Sequence, residues 1–366
     1  MSLIPITTLR PVKPDWEALR RCIMRQGTPD RVHLIELFLD PEVKEAVADR
    51  LGLCDGLDTA APDYGYQREV AIQRGLGYDF VRCGVEGLDW PMNRGTTDDT
   101  ASLGRAGGRS FIDEHTGPIT NWDEFEAYPW PDANHATTRA LEWCEKNLPD
   151  GMCVIAGGGF AHFAEHLTWL MGYETLCYAL FDQRDLVQAI SDRMNDIYRI
   201  ALERILQFDC VKMAWGSDDF GFRSGLLISP ADMRRFVLPG HKLMAEMSHA
   251  AGRPYLLHSC GNLRDIMDDL IDDVKIDAKH SFEDTIEDVV EVKSGYGSRI
   301  ALLGGIDVDF LCVADQQMIR KRVRRTLEHC MLGGGYCMGT GNSVANYIPV
   351  DAYLTMLDES RNWAGR

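Results

Sequence analysis

The run "PYLLHSCGNLRDIMDDLI", residues 254–271, joins an apolar stretch ending at Leu257 to a Gly-Asn break and then to a helical pattern with Ile266, Leu270 and Ile271 on one side. It spells a strand followed by a helix. Gly252 and Pro254 close the helix before it, and Asn262 stands where a helix cap belongs. The same order recurs along the chain. Strands are expected at 31–39, 78–85, 152–159, 210–217, 254–260, 275–281, 299–306 and 334–341, each an apolar run followed by Gly, Asp or Asn. Eight strand-helix units with parallel crossovers predict an α/β fold, a TIM-type eight-stranded barrel whose chemistry gathers at the C-terminal strand ends.

The helices between the runs carry their own signals. Leu186, Ile190, Met194, Ile197, Ala201 and Ile205 recur every three or four residues and mark one buried face. In "ISPADMRRFVL" (228–238) Ser229 is a candidate N-cap, with Pro230 at the first helical position and Asp232 in the first turn. A doubly wound sheet is the structural alternative, but it normally carries a glycine-rich dinucleotide turn. "GGYCMGTGNS" has Gly339-x-Gly341 without the third glycine, and no GK[ST] occurs. Residues 1–30 read as an N-terminal helical cover, 31–366 as one barrel domain, and 105–132 as an inserted hairpin and loop.

Composition narrows the partners. Lys and Arg number 38 against 56 Asp and Glu, for a formal charge of -18, so nucleic acid is not an expected partner. The excess also argues against a polyanionic substrate unless a local basic pocket reverses it. The start, "MSLIPITTLRPVKPDW", has a short apolar run broken by Pro5 and is expected to be neither signal peptide nor membrane anchor. Eleven scattered cysteines without a CxxC pair fit a reducing cytoplasm better than a disulfide framework.

His258 and Cys260 lie two apart on one strand and therefore point the same way. Zinc accepts such a pair, and a catalytic site needs three protein ligands. The bland alternative is a hydrogen-bonded histidine beside a buried thiol. Other polar residues stand where apolar runs stop: Glu36, Arg82, Glu86, Asp218, Asp219, His280, Asp307, Cys337 and Asn342. Ordinary helix caps and polar loops account for some of them. Glu36 and His280 fall within or directly after apolar strands, where a polar group needs a partner. A competing motif is "HFAEH" (162–166), an H-x-x-E-H pattern with His162 and His166 on one helical face.

Several stretches together resemble the uroporphyrinogen decarboxylase superfamily: "RVHLIELFLDPEV" (31–43), "WGSDDFGFRSGLLISPADMRRFVLPGHKLM" (215–244), "LLHSCGNLRDIMDDLI" (256–271), "DAKHSFED" (277–284) and "LLGGIDVDFL" (302–311). "HSCGN" and the closing "GNSVANYIP" (341–349) are similar to its branch of zinc-dependent, corrinoid-linked methyltransferases. The resemblance implies a TIM barrel and a zinc site built from His-x-Cys and a distant third Cys. His258 and Cys260 match the first two. The third position falls at Asn342, so Cys337, five residues earlier, is the thiol available to complete the set, with Glu36 or His280 as substitutes. The decarboxylases proper carry an arginine-rich motif where this chain has "ELFLDPEV", leaving Arg82, Arg94, Arg105 and Arg109 as other carboxylate donors.

The resemblance thus implies a cytoplasmic zinc enzyme that exchanges a methyl group between a small thiol or methoxy substrate and a methylcorrinoid held on a partner protein. No membrane is involved in this reading, and a homodimer is compatible with it. His258, Cys260 and Cys337 would bind the metal, while Asp218, Asp219, His280, Asn342 and Glu36 would orient substrate or handle protons. The alternatives are a metal-free decarboxylase-like lyase and a non-catalytic tetrapyrrole or corrinoid binder.

Overall fold

The computed structural model describes residues 3–157 and 159–364. Met1 and Ser2 of the expected N-terminal cover, Gly158 of the expected strand 152–159, and Gly365–Arg366 at the end of the expected barrel domain lie outside the described residues.

Seven parallel strands follow one another in chain order through one sheet: β1 (Phe80–Cys83), β2 (Cys153–Ala156), β3 (Val211–Ser217), β4 (Tyr255–His258), β5 (Ala278–His280), β6 (Ala301–Leu303) and β7 (Tyr336–Cys337). Each falls inside one of the expected apolar runs. They are shorter than those runs, because the polar ends leave the ladder to form the rim. Helices cover the outer face, so β2 and β4 are buried along their whole length and read as continuous rather than alternating apolar segments.

The expected first strand, 31–39, forms no regular ladder among the described residues. It runs beside β7 through the bridges Leu34–Met338 and Leu39–Val344, and its Leu37 carbonyl accepts a bond from the Arg82 guanidinium of β1. At the N-terminal side, helix Trp16–Ile23 buries Leu19, Cys22 and Ile23 and bonds to the start of β7, with Gly335 N donating to the Cys22 carbonyl.

Helix Arg184–Ile205 buries all six residues of the periodic stripe. Ser229 caps the next segment through Asp232 N. The helix expected after β4 is irregular, a 3-10 turn at Arg264–Ile266 followed by a π-type turn at Asp269–Val274. A hairpin overlaps the start of segment 105–132. It pairs Arg94–Thr97 with Arg109–Ile112, so the Gly107-Gly108 break belongs to the connection inside the hairpin rather than before it. Arg109 and Arg105 pin the hairpin to Asp40 and Glu42.

One buried carboxylate ties sheet to helix. Asp218 directly follows β3 and accepts the amides of Phe163, Ala164 and Glu165 at 2.8–2.9 Å, with His241 Nε2 at 2.9 Å from Oδ2. It caps helix Phe163–Met171 from across the fold, where the unpaired N–H groups and the helix dipole favour an anion. Asp218→Ala strands those donors and is expected to cost about 3 kcal/mol or more in urea unfolding, with Asp218→Asn intermediate. An unchanged midpoint in Asp218→Ala would contradict the capping role.

Candidate metal centre

The registers Ser217–His258 and His258–His280 set the ends of β3, β4 and β5 side by side. His258 closes β4, Cys260 follows two residues later, and Asp219 sits just beyond β3. Their ligand atoms, a histidine nitrogen, the thiol sulfur and a carboxylate oxygen, lie within 4.8 Å of one another. His258 Nε2 is 3.5 Å from both Cys260 Sγ and Asp219 Oδ1. The histidine is buried, whereas the Asp219 side chain is 43% exposed, so the group opens on one side. That is the geometry of three ligands with room for a fourth.

The neighbouring side chains hold this group in place. His258 Nδ1 is 2.7 Å from His280 Nδ1, and the arrangement with the shared proton on His258 aims the Nε2 lone pair at Cys260 and Asp219. His280 is fully buried against Trp215. Asn342 Nδ2 donates to Cys260 Sγ at 3.2 Å, and Ser281 Oγ lies 3.6 Å from the same sulfur. Ser281 reaches it from a left-handed backbone, φ +87°, which a serine adopts only when its surroundings compel it.

Charge follows burial. Burial pushes the Cys260 thiol up, and the Asp219 carboxylate pushes it further, so without a cation it stays protonated. Asp219 is itself partly desolvated, but bonds and charge from His258 and the Cys260 amide hold it at about 2. Burial pushes His258 down toward the neutral imidazole that a metal needs. The donor set fits zinc: one neutral nitrogen, one sulfur awaiting deprotonation and one anionic oxygen.

The model of the uroporphyrinogen decarboxylase (URO-D) family matches residues 115–363. The chain belongs to the URO-D family. Among solved structures it is similar to a methyltransferase from Methanosarcina mazei, at 16% identity and a TM-score of 0.65, covering 94% of this chain and 97% of that one. At that identity the likeness is one of fold. An endo-1,4-beta-xylanase from Caldicellulosiruptor owensensis scores 0.31 at 14% identity, over 66% of this chain and 87% of that one. No curated protein matches the sequence.

Against this URO-D framework the expected site residues separate. His258, Cys260, Asp219, His280 and Asn342 come together. Asp219, expected to orient substrate, stands as the third candidate ligand, and Asn342 touches the sulfur instead of leaving a gap. Cys337 does not join them: it is fully buried, and the neighbouring Cys22 of the N-terminal helix pushes its thiol up. Five residues of extended chain, about 3.3 Å each, separate it from Asn342, and the strand register offers no shift to close that distance. Asp218 faces the helix it caps rather than the rim.

The H-x-x-E-H motif does not gather a metal cluster among the described residues. His162 Nδ1 bonds Glu165 at 2.5 Å, whereas His166 Nδ1 bonds the Tyr198 hydroxyl at 2.8 Å beneath Trp90. Asp307 caps helix Val308–Val313. Of the four arginines, Arg105 and Arg109 are bound to carboxylates and Arg94 is exposed, which leaves Arg82 on β1. Sequence reasoning missed Ser281 and Thr340. Nothing marks Ser281, while Thr340 lies in the glycine-flanked "GTG" before Asn342.

Glu36 is likewise not a ligand. Thr340 N donates to Oε1 at 2.8 Å, and Thr340 Oγ1 lies 2.5 Å from Oε2 and 2.7 Å from the Asn342 carbonyl. The hydroxyl has one proton and the carbonyl can only accept, so Glu36 donates to the hydroxyl and is neutral. Burial raises it to about 8, against the Thr340 amide that donates to Oε1. Folded Glu36 thus holds its proton up to about pH 8 and an ordinary glutamate only to about 4.5, so the fold binds the extra proton and loses stability as pH rises across that window. Urea unfolding of wild type should weaken by a few kcal/mol, in order of magnitude, from pH 5 to 8.5 relative to Glu36→Gln. A constant difference between the two would refute the neutral carboxyl.

Proposed function

We propose that this chain is a zinc-dependent methyltransferase that exchanges a methyl group between a small thiol or methoxy substrate and a corrinoid carried on a separate cytoplasmic protein. The observation that carries the reading is the Asp219, His258 and Cys260 cluster at the strand ends of a URO-D family fold. Its similarity to the Methanosarcina mazei methyltransferase supports it. We read segment 31–39 as the eighth stave, closing a TIM-type barrel between β7 and β1.

Zinc held by His258 Nε2, Cys260 Sγ and Asp219 would supply Lewis acidity, keeping a substrate sulfur as thiolate or polarising a methoxy oxygen. The chain's own groups prepare that position. His280 fixes the tautomer and ring plane of His258. Asn342 and Ser281 donate toward the Cys260 sulfur and limit its negative charge. Neutral Glu36 anchors the Thr340–Asn342 turn without adding charge. Asp219 faces the open side where substrate enters.

The lyase alternative needs guanidinium groups free for several carboxylates, and Arg105 and Arg109 are already committed.

Metal analysis of protein purified without added metal tests the reading. About one zinc per chain is expected, lost in Cys260→Ala, weakened about tenfold or more in Asp219→Asn and unchanged in His162→Ala. Methyl transfer from methylcobalamin to thiols should follow the same order. Full zinc and full activity in Cys260→Ala would overturn the mechanism.

A further inference from the structure

Lys279 is a cation in an apolar place. It stands in the middle of β5, and because its neighbour His280 turns to the metal centre, Lys279 turns to the opposite, helix-covered face. The side chain is buried, and no carboxylate pairs with it among the described residues. Burying an ammonium there is costly and calls for a compensating role. Its bond is a local one: Nζ donates to the Ser281 carbonyl at 2.6 Å and lies 4.3 Å from the centre of the Phe282 ring.

That carbonyl belongs to the residue with the left-handed backbone. At φ +87° Ser281 presents its hydroxyl to Cys260 Sγ, 3.6 Å away. Among the described residues its carbonyl accepts from Lys279 alone. Without the ammonium a buried acceptor loses its donor, and the serine is free to return to the negative-φ regions that L residues favour. The next residue extends the same hold. Phe282 N donates to the Gly341 carbonyl at 3.0 Å, one residue before Asn342, the other donor to the Cys260 sulfur.

We propose that Lys279 is a positioning residue for the metal centre, acting through Ser281 from the other face of the sheet. It fixes the serine's turned backbone so that Oγ is held at the Cys260 sulfur, and thereby sets how much negative charge that sulfur presents to a bound metal. The hold on Ser281 is a property of the chain alone; its effect on the metal rests on the proposed metal centre.

Cobalt(II), loaded in place of zinc, reports the sulfur through its thiolate charge-transfer band. Ser281→Gly keeps the turned backbone, which glycine adopts freely, and removes the hydroxyl, so its band should move to longer wavelength as the sulfur becomes more electron-rich. Lys279→Met should move the band the same way by about half as much or more, and adding Lys279→Met to Ser281→Gly should move it no further. A band unmoved in Ser281→Gly or in Lys279→Met, or shifts that add in the double variant, would overturn the proposal. Amide exchange in the metal-free protein separates the two parts. The Phe282 amide should exchange about tenfold or more faster in Lys279→Met than in wild type, and close to the wild-type rate in Ser281→Gly. If wild type shows no thiolate band, the metal reading fails and this exchange decides the hold on Ser281, equal rates in Lys279→Met and wild type refuting it. If Lys279→Met does not fold, Lys279→Gln takes its place, and an unmoved band in Ser281→Gly still overturns the proposal.

Discussion

Two imidazole nitrogens 2.7 Å apart must share one proton, and much of the site follows from that constraint on His258 and His280. The pair exists because the two residues are register partners at the ends of neighbouring parallel strands, so their side chains leave the sheet on the same face. With its Nδ1 committed, His258 can offer only Nε2, which looks toward Cys260 and Asp219. Desolvation by the surrounding core keeps the rings neutral. A cation at the open side would then be met by a lone pair, a carboxylate and a thiol ready to lose its proton.

The periodicities made most of the architecture legible. Strand-then-helix order, the buried stripe of Arg184–Ile205 and the Ser229 cap all follow from short-range physics that a sequence displays. Strand ends and irregular turns do not, since they depend on which side chains take backbone partners. Segment 31–39 was readable as extended chain but not as a segment whose Leu37 carbonyl goes to an arginine side chain. The π-type turn after β4 is similarly a product of packing.

The candidate site divided along the same line. His258 and Cys260 announce themselves by their spacing, because a two-residue period fixes their common direction. Asp218 and Asp219 are adjacent and chemically identical, yet one is a buried helix cap and the other opens toward solvent; only the placement of helix Phe163–Met171 tells them apart. Cys337 was attractive as a thiol near the right strand, but its position along that strand leaves it with Cys22. Arg82 was one of four arginines by sequence, and only the structure separates it, on β1, from the exposed Arg94 and from Arg105 and Arg109, which pair with carboxylates.

X-ray absorption at the zinc edge of the loaded protein addresses the centre most directly. The account predicts one sulfur at about 2.3 Å, with the remaining ligands nitrogen or oxygen at about 2.0–2.2 Å. Two or more sulfurs from the chain would bring a second cysteine into the site and contradict the Asp219, His258 and Cys260 set; a shell without sulfur would remove Cys260 from it.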